Sequence, residues 1–364
     1  MPRYIHELRD WPNFRWDSRR VQAPLASVRH HQGRLVGRME GLGFQLQEQA
    51  SFQALAQEVL KTSEIEGEML NPTQVRSSLA RRLGVDIGAL KPADRNVDGV
   101  VEMLLDATQN YDQPLTAKRI FGWHAALFPS GWSGVHKIKA DAWRKTAVDV
   151  ISGRGKNERI HFQGPDAARV PAEMREFLNW FEDNMEIDLV LKAAIAHLWF
   201  VTVHPFGDGN GRIARTIANM ALARSENTPL RFYSMSAQIR EEHSSYYDIL
   251  ESTQKGTMDV TPWIEWFLSC LGNAIEGSES LLGSVIKKGK FFDATADSPL
   301  NERQRIVLNR LLDGFEGKLT SSKWAKLTKC SQDTAHRDII DMVNRGILVK
   351  DAAGGRSTSY SLKA

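Results

Sequence analysis

Twelve residues, His204–Arg215 (HPFGDGNGRIAR), hold most of the side chains in this chain that could do chemistry. His204 is an imidazole with a near-neutral ordinary pKa, and Pro205 after it disfavours helical geometry at that position. The histidine is therefore expected to project from a helix end into a turn. Gly207, Gly209 and Gly211 tighten that turn and let backbone N–H groups face outward. If a helix begins directly afterwards, its first N–H groups form an anion site, and Arg212 and Arg215 add positive charge. Asp208 lies in the same turn. A carboxylate beside an anion site is reconciled by a divalent cation bridging it to phosphate oxygens, which suits Mg²⁺. A phosphate cradle, a metal carboxylate, two arginines and a histidine fit transfer of a phosphorus-centred group with His204 as general base. The chain has no G-x-x-x-x-G-K-[ST] motif, so the cradle is not a P-loop.

These side chains need elements to carry them. Ile187–Val203 is apolar nearly all round and predicts a buried helix leading into His204. Ile213, Ile217, Met220 and Ala221 predict an amphipathic helix leading away from it. Further helices are expected over Phe44–Glu66, where Leu46, Phe52, Leu55, Val59 and Leu60 share roughly one face and Gly67 is the stop, and over Thr116–Phe128 and Val170–Phe181. Residues 147–162 differ: VDVIS and RIHF flank the polar turn SGRGKNE, a hairpin signal. The fold class is mainly α with a small β element.

At 364 residues, 42% hydrophobic and 25% charged, the chain suits two or three soluble domains. It shows no signal-peptide or membrane-spanning stretch, and two cysteines exclude a disulfide scaffold. A cytoplasmic protein of a reducing compartment is expected. The net charge is only +3, but residues 300–364 carry 12 Lys/Arg against 7 Asp/Glu, so any polyanion-binding face belongs there. The expected organisation is an N-terminal helical domain over 1–95, a catalytic core over 96–275, a linker over 276–299 and a small domain over 300–364.

HPFGDGNGRIAR resembles the signature of Fic-domain proteins, HPFx[DE]GNGRxxR, at every fixed position. YIHELRDWPNFRWD near the N-terminus resembles the leader domain of a bacterial Fic subgroup, and the flanking helices and hairpin are similar to the Fic core. The resemblance implies protein adenylylation, in which AMP passes from ATP to a Ser, Thr or Tyr hydroxyl of a target protein and pyrophosphate leaves. By position it implies that His204 deprotonates the hydroxyl and that Asp208 holds Mg²⁺ on the phosphates. Gly209, Asn210, Gly211 and Arg212 would bind phosphate, Arg215 the γ-phosphate and Tyr246 the adenine. The hairpin would be the family's flap, pinning the target by strand pairing through Arg159, Ile160, His161 and Phe162. A donor other than ATP is not excluded, because base contacts lie outside the motif.

One class of Fic proteins carries an inhibitory helix with the pattern [ST]-x-x-x-E-[GN]. Thr62-Ser63-Glu64-Ile65-Glu66-Gly67 matches it and closes a predicted helix ahead of the core. Glu66 would then pair with Arg215 and place a carboxylate where phosphate oxygens belong. Glu64 and Glu68 are its acidic neighbours; the following glycine selects Glu66.

In the last 65 residues, Leu308, Leu311, Leu312 and Phe315 predict a helix. Thr320 and Ser331 are expected to cap two more, SSKWAKLT and QDTAHRDIIDMVNRG, with Gly346 as stop. ILV and TSYSL then form a β-pair. The arrangement resembles a winged helix-turn-helix, which would offer Gln332, Asp333, Thr334, His336 and Arg337 to a DNA groove and Arg356 to a phosphate; such domains also bind proteins. The leading expectation is an autoinhibited protein adenylyltransferase. Removal of AMP at the same site, or a DNA-binding regulator with the core as nucleotide or peptide sensor, are the alternatives. The partners expected are ATP, a target protein and DNA through residues 300–364, with a homodimer as a further arrangement to test and no membrane.

Overall fold

The computed structural model describes residues 3–87, 90–134, 136–152, 159–183, 187–294, 299–312, 315, 317–351 and 358–363. Two compact units divide the chain, Met1–Glu279 and Ser280–Ala364. In the first unit a short 3-10 turn, Ile5–Glu7, precedes α1 (Ser18–Glu40), α2 (Phe44–Ile65), α3 (Pro72–Leu83), α4 (Arg95–Gln109) and α5 (Ala117–Leu127). A two-residue pair, β1 (Trp132–Ser133) and β2 (His136–Lys137), and a hairpin, β3 (Asp149–Ser152) and β4 (Arg159–Gln163), come next. Then follow α6 (Val170–Glu182), α7 (Leu189–Val203), α8 (Asn210–Glu226), α9 (Met235–Glu241), α10 (His243–Gln254) and α11 (Thr261–Ala294).

The all-apolar sequence of α7 has the consequence expected of it: every residue from Val190 to Val203 is buried. α8 packs along it, α6 lies against another side of it, and α2, α4 and α5 contact α8. The helix pair that flanks the His204 turn is thus the centre of this unit. α2 is riveted to its neighbours by a buried carboxylate. Glu58 accepts from Asn219 Nδ2 of α8 at 2.9 Å, from Ser234 Oγ at 2.6 Å, and from the backbone N–H and the hydroxyl of Ser236. A buried carboxylate is tolerated where its oxygens are met by donors.

The hairpin forms where the alternating segments predicted it. Asp149 pairs with Gln163 and Val150 with Phe162; the register then shifts, and Ile151 pairs with Ile160. Residues 153–158 of its turn lie outside the described residues. Phe162 is buried under the N-terminal segment, edge-on to Tyr4 and His6, and His6 Nε2 donates to the Gln163 carbonyl at 2.9 Å. No described helix is long and apolar enough to cross a membrane.

Most of the 276–299 segment expected as a linker is helical, because α11 continues to Ala294. Leu281, Leu282, Val285 and Ile286 sustain a helical period, and no proline intervenes between Pro262 and Pro299. The division between the units falls inside this helix.

The second unit holds α12 (Glu302–Leu312), α13 (Ser321–Thr328), α14 (Gln332–Asn344) and an antiparallel pair, β5 (Leu348–Lys350) and β6 (Tyr360–Leu362). Thr320 and Ser331 accept from Lys323 N and Thr334 N, as their positions predict. Val307, Leu308, Trp324, Ala335, Ile339, Met342 and Leu348 form its own core. Arg356 lies outside the described residues.

Candidate active site

The turn between α7 and α8 is set by its backbone. His204 ends α7 in the left-handed region, φ 50°, a conformation costly for a non-glycine residue. Gly209, φ 83°, opens α8, and a Cβ there would meet the Phe128 ring at 3.0 Å. Between them Asn210 closes the turn with both ends of its amide. Its Oδ1 accepts from Phe206 N at 3.0 Å and its Nδ2 donates to the Phe206 carbonyl at 2.8 Å. Asn210 was expected to bind phosphate; its buried side chain is committed to the turn, which leaves only its backbone N–H for that purpose. The first bond of α8 runs from Ile213 N to Gly209 O, so the N–H groups of Asn210, Gly211 and Arg212 have no partner within the helix.

His204 Nδ1 donates to the Val201 carbonyl at 3.1 Å, which fixes the tautomer and leaves Nε2 as the acceptor. Burial and the nearby Arg144 cation lower its pKa to about 4 from the ordinary 6.5, partly offset by Val201, Glu66 and Asp208. The imidazole is therefore neutral at pH 7 and able to take a proton. Asp208 is held on both oxygens, by the hydroxyl of Ser133 and by Gly209 N. His124 Nε2 donates to the Asp208 carbonyl at 3.2 Å and its ring stacks on Phe206. Among the described residues no cluster of three His, Cys, Asp or Glu could hold a metal by itself. A lone carboxylate suits Mg²⁺ that arrives with a polyphosphate and draws its remaining ligands from phosphate oxygens and water.

Both arginines of the motif are engaged by carboxylates from the end of α2. Arg215, 2% exposed, donates from Nη2 to Glu66 Oε1 at 2.7 Å. It also donates from Nε to the Thr62 hydroxyl at 2.8 Å and from Nη2 to the Thr62 carbonyl at 2.9 Å. Arg212 donates from Nη1 to Glu68 Oε2 at 2.8 Å. Glu66 sits so close to the first turn of α8 that a Cβ on Gly211 would meet its Oε1 at 2.3 Å. Gly67, φ 80°, ends α2 and turns the chain so that Glu66 and Glu68 both reach α8. The Thr62–Gly67 pattern pointed to Glu66; nothing local marked Glu68, whose partner is 144 residues away.

Two further expectations look different in the structure. Tyr246, expected to contact adenine, is 1% exposed, and its hydroxyl bonds to His197 Nε2 at 3.0 Å. Burial raises the pKa of its phenol, and the nearby Arg215 cation opposes that rise. The phase of α10 turns Tyr247 outward instead, 36% exposed. In the flap, Arg159 and His161 both reach Glu251 of α10, at 3.0 and 2.6 Å, while Ile160 is exposed and Phe162 is buried. Burial opposes ionisation of Glu251, but Lys255, His161 and Arg159 hold its carboxyl at about 2. Sequence reasoning missed Ser133, Arg144, Glu68 and Glu251, each of which acts across a long stretch of chain.

Residues 114–222 match the Fic/DOC family, and residues 4–85 match a family described as a domain of unknown function, DUF4172. The His204 turn, α7 and most of α8 thus lie within the segment that matches the Fic/DOC family. A protein adenylyltransferase Fic of Culex quinquefasciatus is 25% identical over 232 residues, 62% of this chain and 42% of its own. A probable protein adenylyltransferase of Aquifex aeolicus is 26% identical over 148 residues, 39% of this chain and 43% of its own. The chain therefore spans less than half the length of these curated relatives. Among solved structures, a Fic family protein from Desulfovibrio desulfuricans shares the fold with a TM-score of 0.52 at 19% identity, covering 94% of this chain and 95% of its own. A Fic-domain signalling protein from Bacteroides thetaiotaomicron has the same TM-score at 20% identity, covering 70% and 97%.

Proposed function

We propose that the protein is an autoinhibited protein adenylyltransferase. The observation that carries this reading is the pairing of Arg215 with Glu66 at the mouth of a helix N-terminus that faces a neutral histidine. In the active state the triphosphate of ATP would lie against the N–H groups of Asn210, Gly211 and Arg212, with both guanidinium groups as counter-charges. Mg²⁺ on Asp208 would neutralise the leaving pyrophosphate. As the target's hydroxyl oxygen bonds to the α-phosphorus, its proton passes to His204 Nε2 and the bond to the pyrophosphate oxygen breaks. The flap would pair with an extended target segment through its backbone, and Tyr247 is better exposed than Tyr246 for stacking on the base.

Glu66 supports autoinhibition by two routes. It removes Arg215 from the γ-phosphate, and its own charge repels the phosphate oxygens. A second reading, removal of AMP from a modified protein, draws on the same residue, since a carboxylate acting on His204 is suited to orient a water. Incubating the wild type and Glu66→Gly with labelled ATP and a cell lysate tests the choice. Transfer predicts stronger labelling by the variant. The reverse reaction predicts that the variant removes AMP more slowly from a pre-labelled protein.

For residues 300–364 we propose a winged helix that binds DNA through α14. Gln332, Asp333, His336 and Arg337 are exposed along it. Asp338, which would oppose a polyanion at the surface, is instead buried against Arg303 and Asn301.

A further inference from the structure

We propose that Arg144 is a positioning residue that ties both feet of the β3–β4 flap to the main chain of the catalytic histidine. The flap that presents the acceptor hydroxyl and the base that deprotonates it are thereby held in one frame. The inference rests on the adenylyl-transfer reading above.

Arg144 lies in the segment before β3, 60 residues from His204, and is 8% exposed. Its fork reaches three stretches of chain. Nε donates to the His204 carbonyl at 2.8 Å, Nη1 to the Thr146 carbonyl at 2.8 Å, and Nη2 to the Pro165 carbonyl at 2.5 Å, with Val203 O at 3.5 Å. Its backbone N–H adds a bond to Pro205 O at 2.9 Å. Thr146 stands just before β3 and Pro165 just after β4, so one side chain bridges the two ends of the hairpin and the last residues of α7.

Among the described residues no carboxylate lies within ion-pair distance of it; burial depresses its pKa, and the charge of Asp166 offsets this only in part. A buried cation paired only with carbonyl oxygens is expensive unless its geometry is used. A planar fork with five N–H donors can hold several carbonyls in fixed directions, which a compact ammonium cannot. What needs holding is evident at His204, whose left-handed backbone persists only where its surroundings over-determine it. Arg144 grips that residue's own carbonyl.

Gly164 supplies an independent observation. It is the first residue after β4, and its N–H donates to Val148 O at 3.0 Å across the base of the hairpin. A Cβ there would lie 2.8 Å from Val148 Cγ1, 2.9 Å from Arg144 Nη2 and 3.5 Å from His204 Cβ. The flap foot, the arginine and the histidine therefore meet at a spot where an added Cβ would displace Val148 or the Arg144 fork.

The test uses the full chain carrying Glu66→Gly as parent, and follows AMP incorporation from labelled ATP into the chain itself and into lysate protein. A fluorescent ATP analogue reports affinity and binding stoichiometry, and thermal melting reports folding. Adding Arg144→Gln should lower the transfer rate by roughly 10²-fold, the scale of an ångström-level misplacement. Nucleotide affinity should stay within about twofold at full stoichiometry, because the phosphate contacts are elsewhere. Arg144→Lys, able to restore only some of the bonds, should fall between. Gly164→Ala should lower the rate without lowering nucleotide affinity. Parental rates in Arg144→Gln would overturn the proposal, as would transfer and nucleotide binding falling together in all three variants. If Arg144→Gln does not fold, the lysine variant decides: a reduced rate with parental nucleotide binding supports the proposal, and a parental rate overturns it. A parent that labels nothing refutes the transfer reading itself, and the role of Arg144 with it.

Discussion

In the proposed adenylyl transfer His204 is the general base, and its environment makes a pH forecast. Its pKa in the folded chain is about 4, below the ordinary 6.5, so the neutral base predominates well into the acid range. The acid limb of kcat/KM should therefore lie near pH 4 rather than near 6.5, with a plateau between about pH 6 and 8. An inflection close to 6.5 would show that the imidazole is more solvated than this structure has it. His204→Ala should lose about 10² to 10⁴ in rate with ATP affinity largely retained, since the base acts on the hydroxyl. Glu68 makes a second forecast at this scale. If it shields Arg212 as Glu66 shields Arg215, Glu68→Gln should tighten ATP binding, measured by fluorescence titration, by roughly tenfold. No change would reduce the Glu68–Arg212 pair to a surface contact. The residues legible in the sequence were those packed into a contiguous motif, His204 to Arg215, and the short pattern ending at Gly67. Ser133, Arg144 and Glu251 had no such signature, because each finds its partner only after the chain has folded.

Among the elements, helices were legible and their phases were not. The end of α2 at Ile65 and the caps at Thr116, Thr320 and Ser331 follow directly from local residue types. Which tyrosine of the pair in α10 is exposed depends on how that helix packs, and the buried His197 claims Tyr246. The helical character of much of 276–299 was hidden for a related reason: glycines and serines weaken a helix without ending it when apolar residues keep the period. The flap clasp belongs at this scale as well. Glu251 holds Arg159 and His161 of β4 against α10. If β4 pairs with the target as proposed, Glu251→Gln should loosen it while sparing the nucleotide. The KM for an acceptor protein should rise several-fold with ATP affinity unchanged. A parallel loss of ATP affinity would mean that the clasp shapes the nucleotide site instead.

For the whole molecule, the proposed brake would sit on a helix anchored in the core: α2 is fastened through the four donors on Glu58, two turns before Glu66. The C-terminal unit has its own core and adds the basic surplus that the rest of the chain lacks. If α14 enters a DNA groove, binding of the full chain to duplex DNA should weaken steeply with salt, because phosphate contacts release counterions. Arg337→Ala should weaken it further. Salt-insensitive association with a protein, and none with DNA, would favour a protein-binding module.

The most direct test of the central claim is AMP incorporation from labelled ATP by the wild type, Glu66→Gly and Glu66→Gly/Arg215→Ala, assayed side by side. Removing a carboxylate that competes with phosphate for a buried guanidinium should raise labelling by roughly a hundredfold in the single variant. The double variant should lose that gain, because the freed arginine is what the nucleotide uses, and the two changes should be strongly non-additive. Equal labelling by the wild type and Glu66→Gly, or a gain that survives the loss of Arg215, would contradict the account.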